Sequence, residues 1–453
     1  VIRLSALLLA AATVCGACTR DAVPPAPTTA APATIAASTA PQSTPAGALA
    51  PIDAPAAVLN GGGTWYLLPD GLSREGISLD VEFPEGDPTG GQPRARLRSS
   101  GKTIALVPSG PALRPGVAAP APHWIGTLPL DGAAPGPDAY EIVVRLRNGT
   151  DAVVAQRPVL LSHPEYVVWT LDFEGDAASD ATMDNTIQIA RTHGVPMTIM
   201  WNPRVWTTNQ VSAARADAMA RWLMDAHAAG IAEVALHVHA WTDFVRDAGV
   251  APRTAPNWSG RGDGYDVPLT AFDEAETGKL LDRALALMAR HGMPRPTSFR
   301  GGGLFANAAN LRAIASAGFT VDSSASPAGP FGRLVLPWTL AKDAQPYRPS
   351  AEDANRPGDL RLLEVPNIAG NTYGFTVNTI QSTIRDDLAM LAPPTQVATT
   401  RRALTLVSHP GTIDSTERAA IEALFRAFEP LRYDKGSGPL RFVTLAQLGK
   451  AFD

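Results

Sequence analysis

The stretch Ala216–Trp241, ADAMARWLMDAHAAGIAEVALHVHAW, holds a whole structural unit in twenty-six letters. Its first half carries apolar residues at helical spacing and stops at Gly230, where a left-handed cap ends a helix without a Cβ penalty. An apolar run from Val234 follows at once, which predicts a buried strand. The same order recurs three more times: Ile187–His193, Gly194, Met197–Trp201; Glu274–His291, Gly292, Thr297–Arg300; and Leu311–Ala317, Gly318, Phe319–Ser323. Together with a buried strand at Tyr166–Leu171, the repeats predict a parallel α/β barrel or a doubly wound sheet from residue 164 to residue 453. In either architecture the chemistry sits at the C-terminal ends of the strands.

The strand ends are chemically dense. His237 and His239 stand two apart, and residues i and i+2 of a strand share a face, so both imidazoles present to one side as half of a metal site. The first strand leaves as Asp172-Phe173-Glu174-Gly175-Asp176, three carboxylates that repel unless a cation or proton intervenes. Other ends are Arg300-Gly301-Gly302-Gly303, Asp322-Ser323-Ser324 and Ser408-His409-Pro410. His193 and His291 read as helix C-cap residues favoured by the dipole, and His123, His163 and His227 have no strand-end partners. Asp180 and Asp184 read as the start of a helix, and the long polar loop Ala251–Val267 with Trp258 reads equally as a substrate-shaping loop or a disordered insertion.

Ahead of the α/β region, residues 58–163 show short alternating runs separated by turn clusters: Ile77–Phe83, Thr103–Val107, Trp124–Leu130, Tyr140–Leu146 and Val153–Leu161. This predicts a small all-β, immunoglobulin-like sandwich, read as a spacer domain in preference to a carbohydrate- or partner-binding module. Residues 19–57 are rich in Ala, Pro, Thr and Ser and lack the apolar surface to offset chain entropy, so they read as a disordered tether. Residues 1–18 read as an export signal: Arg3, then the apolar run Leu4–Val14, then small residues. Cys15-Gly16-Ala17-Cys18 resembles a bacterial lipoprotein signal with lipid on Cys18. The expected location is the bacterial cell envelope, membrane-anchored through that lipid; Thr19, in place of an Asp, favours the outer membrane facing the periplasm.

Composition narrows the classes. The 453 residues are 45% hydrophobic with a formal net charge of -5 and no basic run, which argues against a nucleic-acid partner. The only two cysteines, Cys15 and Cys18, lie in the signal, so a metal in the folded part must be held by His, Asp or Glu.

The segments LDFEGD, LHVHAW, SFRGGGLFANAANLRAIASAGFTVDSS and LVSHP, in this order over residues 165–450, resemble the motifs of the polysaccharide deacetylases (carbohydrate esterase family four), and in particular divergent members with an His-x-His-x-Trp motif. The resemblance implies a distorted, incomplete (β/α) barrel that removes N-acetyl groups from an acetylated polysaccharide with one divalent metal ion, commonly Zn²⁺. It implies Asp172 as catalytic base, Glu174, His237 and His239 as metal ligands, Arg300 as the residue orienting the base, Asp322 as the acid paired with that arginine, and His409 as general acid. Trp241 stands where the common motif has its second histidine, so His239 serves instead, and Asp176 competes with Glu174 for the metal. Arg300-Gly301-Gly302-Gly303 stands where the family has Arg-x-Pro-aromatic; Gly301 and Gly302 are expected to offer backbone N–H to the oxyanion, and Trp241 an apolar wall to the acetyl methyl. Two other readings fit the same residues: a catalytically inactive surface lipoprotein that binds glycan or a partner, and a metal amidohydrolase acting on a peptide or small amide.

Overall fold

The computed structural model describes residues 57–74, 76–84, 92–109 and 123–453. The signal with Cys18 and nearly all of the tether lie outside them. Among the described residues no helix is long and apolar enough to cross a membrane.

Nine strands build the first layer pair: β1 (Val58–Leu59), β2 (Trp65–Leu67), β3 (Ile77–Glu82), β4 (Arg94–Leu97), β5 (Thr103–Ala105), β6 (Val107–Ser109), β7 (His123–Leu128), β8 (Gly136–Arg145) and β9 (Asp151–Ser162). One sheet runs β1-β3-β7-β6 and the other β2-β9-β8-β4-β5. The region is all-β, as its alternating runs predict. Inward residues of both sheets, among them Leu79, Val81, Leu97, Tyr140, Ile142 and Leu161, share one core. The run read from sequence as one strand at Thr103–Val107 is two, β5 and β6, and the chain changes sheet between them at the fully buried Leu106.

Two residues after β9 the pattern turns to alternating strands and helices. In order these are β10 (Glu165–Asp172), α1 (Asp180–His193), β11 (Met197–Trp201), α2 (Ala213–Ala228), β12 (Ala232–Val238), α3 (Thr242–Asp247), α4 (Glu274–Arg290), β13 (Ser298–Gly301), α5 (Ala308–Ser316) and β14 (Val321–Asp322). There follow the hairpin β15 (Pro330–Phe331) and β16 (Leu334–Val335), then β17 (Leu363–Glu364), α6 (Ile380–Met390), β18 (Arg402–Ser408), α7 (Ser415–Phe428), β19 (Leu440–Val443) and α8 (Leu445–Ala451). The main sheet is parallel throughout and runs β17-β14-β13-β12-β11-β10-β18. β19 pairs the first half of β10, below the point where β11 begins. No pairing joins β17 to β18 among the described residues, so the barrel is incomplete.

Local chemistry explains the helices. Ser179 and Ser212 cap α1 and α2 by accepting from backbone N–H groups, and Asp273 with Glu276 forms a capping box at α4. α2 buries Ala216, Met219, Ala220, Leu223 and Ala226, one stripe at helical spacing. β10 is buried along its whole length, as a strand covered on both faces must be. Barrel and sandwich are tied where Tyr166 of β10 donates to Asp70 and Arg441 of β19 to Ser73.

Candidate metal and catalytic site

Four strands of the parallel sheet, β10, β12, β13 and β18, bring their C-terminal ends together. Glu174, two residues beyond β10, is the centre. Its Oε2 lies against His239 Nε2 and 3.9 Å from His237 Nε2, and its Oε1 is 3.1 Å from His409 Nε2. Glu174, His237 and His239 bring their ligand atoms within 4.8 Å of one another, as do Asp172, Glu174 and His409. The chain can turn back after Glu174 because Gly175 adopts φ 86°, and a Cβ there would meet the Asn202 side chain.

Register places the two histidines. β12 and β13 pair His237 with Arg300 and Val238 with Gly301. His237 Nδ1 lies 3.0 Å from the Arg300 carbonyl. A carbonyl only accepts, so Nδ1 carries a proton, and Nε2 is the ring nitrogen left to face Glu174. His237 Nε2 and His239 Nε2 are buried without a well-formed hydrogen-bond partner among the described residues. Two buried imidazole nitrogens turned toward one carboxylate suit a shared cation, and two histidines with one carboxylate is the donor set of catalytic zinc.

The electrostatics agree with that geometry. Burial raises the Glu174 carboxyl, but His239 above all, then His237 and His409, outweigh it and hold it well below the usual carboxylate range. Burial lowers the His239 and His409 imidazoles, and in each case Glu174 overrides it and raises them.

Arg300 has no solvent exposure. It donates from Nη1 to Asp172 Oδ1 at 2.7 Å and to Thr170 Oγ1 at 2.8 Å, from Nε to the Ser323 carbonyl at 2.8 Å, and from Nη2 to Ser323 Oγ and Asn367 Oδ1. Its five contacts fix the guanidinium and through it the carboxylate of Asp172.

Several expected placements differ. Asp322 is fully buried two strands from β12, yet no hydrogen bond or ion pair joins it to Arg300 among the described residues. Asn367 takes that place, because Asp322 accepts from Ser324 Oγ at 2.8 Å and sits in register with Glu364 of β17. Burial raises both carboxyls of that pair, and each faces the other, so a shared proton is the stable arrangement. Ser324 Oγ in turn accepts from the Gly301 amide at 2.9 Å, which removes that N–H from the oxyanion role expected of it. Gly302 lies directly beneath the His239 ring. Trp241 is buried against the His239 ring, with centroids 4.7 Å apart, so its face is taken up by that imidazole and not open as the wall expected of it. Asp176 pairs with Arg204 at 3.1 Å and stands outside the groupings around Glu174.

Arg204 escaped the sequence reading. It is fully buried, lies over the Trp241 ring at 4.4 Å, and donates to Asp243, Asp176, Gln210, Tyr265 and the Gly175 carbonyl. The available signal was its position, three residues past the end of β11, where a barrel places its chemistry. Trp258, from the long polar loop, stacks on Phe305 with centroids 5.5 Å apart and stands 6.0 Å from His239. Tyr373 is 55% exposed and edges His409 at 6.0 Å, so an open aromatic borders the site on its other side.

No family model matches the chain, and no curated sequence matches it. Among solved structures it is similar to a Mycobacterium smegmatis protein assigned to the polysaccharide deacetylases, at 18% identity and TM-score 0.40 over 63% of this chain and 89% of that one. It is also similar to a family 4 carbohydrate esterase from Streptomyces lividans in complex with acetate, at 13% identity and TM-score 0.33 over 63% of this chain and 95% of that one. The peptidoglycan deacetylase of Bacillus subtilis is similar at 13% identity and TM-score 0.31, over 64% of this chain and 92% of that one.

Proposed function

We propose that this chain is a divergent polysaccharide deacetylase: a metal-dependent hydrolase that removes N-acetyl groups from a cell-envelope or exported polysaccharide. The observation that carries the reading is the convergence on Glu174 of His237, His239 and His409, beside an Asp172 held by Arg300, all from the ends of parallel strands. The ordered motif resemblance supports the substrate class, and the lipoprotein-like Cys18 supports an envelope location with lipid as the membrane partner.

Glu174, His237 and His239 are the residues that would hold the ion. A divalent ion such as Zn²⁺ there supplies Lewis-acid polarisation of the acetamide carbonyl and a lowered pKa for the attacking water. Asp172 takes the proton from that water, its Oδ1 fixed by Arg300 so that the other oxygen faces the reaction. His409, across Glu174 from His239, gives a proton to the leaving amine, which departs poorly as an anion. Trp258 and Tyr373 border the site on opposite sides, the first near His239 and the second near His409.

The test is acetate release from acetylated amino-sugar oligomers by the zinc-loaded protein. Release that stops on chelation and in Asp172→Asn supports the reading; an equal rate without metal or base sinks it. Mass spectrometry of the mature protein from bacterial membranes tests the anchor, which requires an N-terminal diacylglyceryl Cys18.

A further inference from the structure

The two metal-facing histidines are held in different ways. His237 is tethered by its Nδ1 hydrogen bond to the Arg300 carbonyl. His239 has no such tether: its Nδ1 is buried with no hydrogen-bond partner among the described residues. Apart from the contact of its Nε2 with Glu174, its ring is located by packing, edge-on to His237 at 4.7 Å, tilted against Trp241 at 4.7 Å and against Trp258 at 6.0 Å. The remaining side of that seat is the backbone of Gly302. A Cβ at 302 would lie 2.6 Å from His239 Nδ1, 2.7 Å from Cγ and 2.9 Å from Cε1. Three ring atoms fall inside contact distance, so the whole ring would have to move, and it would do so against the packed rings of His237, Trp241 and Trp258.

Strand register explains the contact. β12 and β13 pair His237 with Arg300 and Val238 with Gly301, so 239 and 302 form the next rung beyond the ladder. Side chains on one rung compete for the same space, and here the imidazole fills it. Gly302 does not adopt the left-handed φ that would by itself call for glycine, whereas its neighbour Gly303, at φ 64°, does. Position 302 is therefore glycine for room, not for conformation.

We propose that Gly302 is a positioning residue for the metal site: the missing side chain at 302 is what allows His239, two residues after His237, to reach Glu174. The inference rests on the metal reading above and ties the His-x-His spacing to the glycine run after Arg300, two departures that the sequence presents as unrelated.

The experiment is zinc affinity, by competition with a chromophoric chelator, for the full folded chain and for Gly302→Ala, His239→Ala and the double variant, with thermal unfolding of each zinc-free protein. Gly302→Ala is expected to bind zinc about 10- to 100-fold more weakly than wild type. In the His239→Ala background the same substitution is expected to change affinity less than about twofold, because the ring it displaces is gone. Where the clash is relieved by loss of folding instead, the coupling is read in Tm: Gly302→Ala alone lowers it and adding His239→Ala restores it. Wild-type zinc affinity and Tm in Gly302→Ala, or equal losses in both backgrounds, would overturn the proposal. Wild type that binds no zinc overturns the metal reading itself, so the two failures are distinct.

Discussion

Arg300 Nη1 donates to Asp172 Oδ1 at 2.7 Å from a guanidinium with no exposed surface. The pair spans β13 and β10, with two strands between them in the sheet, so the interior of the barrel is what brings carboxylate and guanidinium together. Asp172→Asn is expected to lower kcat by about 10²–10⁴-fold while zinc content stays near wild type. Arg300→Lys is expected to lower kcat about 10–100-fold, because a single ammonium cannot hold Thr170, Asp172, Ser323 and Asn367 at once. Steady-state kinetics beside metal analysis checks both, and a rate loss that merely tracks lost metal would count against the assigned roles.

His409 is read as the acid for a poor leaving group, and that role can be isolated. His409→Ala should lose about 10²–10⁴-fold on an acetamide but less than about tenfold on an acetate ester of a nitrophenol, whose leaving group needs no proton. Equal losses on the two substrates would show that His409 serves binding or metal instead.

Arg204 is buried between Trp241 and the carboxylate of Asp243, behind His239. Arg204→Met leaves Asp243 without its ion-pair partner and removes the support under Trp241. The expected loss of stability is on the order of 2–4 kcal/mol, in urea unfolding of the metal-free protein. Asp176 is 60% exposed, and Asp176→Asn should cost less than about 0.5 kcal/mol.

How far the sequence could be read follows from what each residue needs. Helix, glycine, strand repeats are local, so the α/β region and its polar strand ends were legible, and the same-face argument for His237 and His239 needs only the two-residue pleat. What was not legible depends on pairs far apart in the chain. Asp322 looked like the partner of Arg300, but the partner is Asn367, whose carbonyl reaches the guanidinium from a strand-end loop 67 residues further on. Trp241 looked like a substrate wall because its motif position faces the site; the His239 ring packed against it takes up that face. Arg204 lies three residues past its strand, and nothing local announces the five groups gathered around it. The split of Thr103–Val107 between two sheets likewise depends on which neighbour each half finds.

Asp387 of α6 is a buried carboxyl with one oxygen unpartnered among the described residues. Burial, with a smaller contribution from Asp386, raises its pKa from 3.8 to about 8. A raised folded pKa means the folded state holds the proton more tightly, so this group's stabilisation is complete below about pH 4 and is lost as pH rises to about 8. Asp387→Asn removes the titration. Its Tm should exceed wild type by about 2–6 °C at pH 8–9 and show no gain at pH 4. A gain that is the same at both pH values would mean that the carboxyl does not titrate in this window.

The most direct test of the central claim is metal content by mass spectrometry, alongside acetate release, for wild type and for His237→Ala/His239→Ala. The account predicts about one divalent ion per chain in wild type, none in the double variant, and acetate release only where the ion is present. A wild-type protein that takes up no divalent ion after reconstitution, or a double variant that keeps both the ion and the activity, would contradict it.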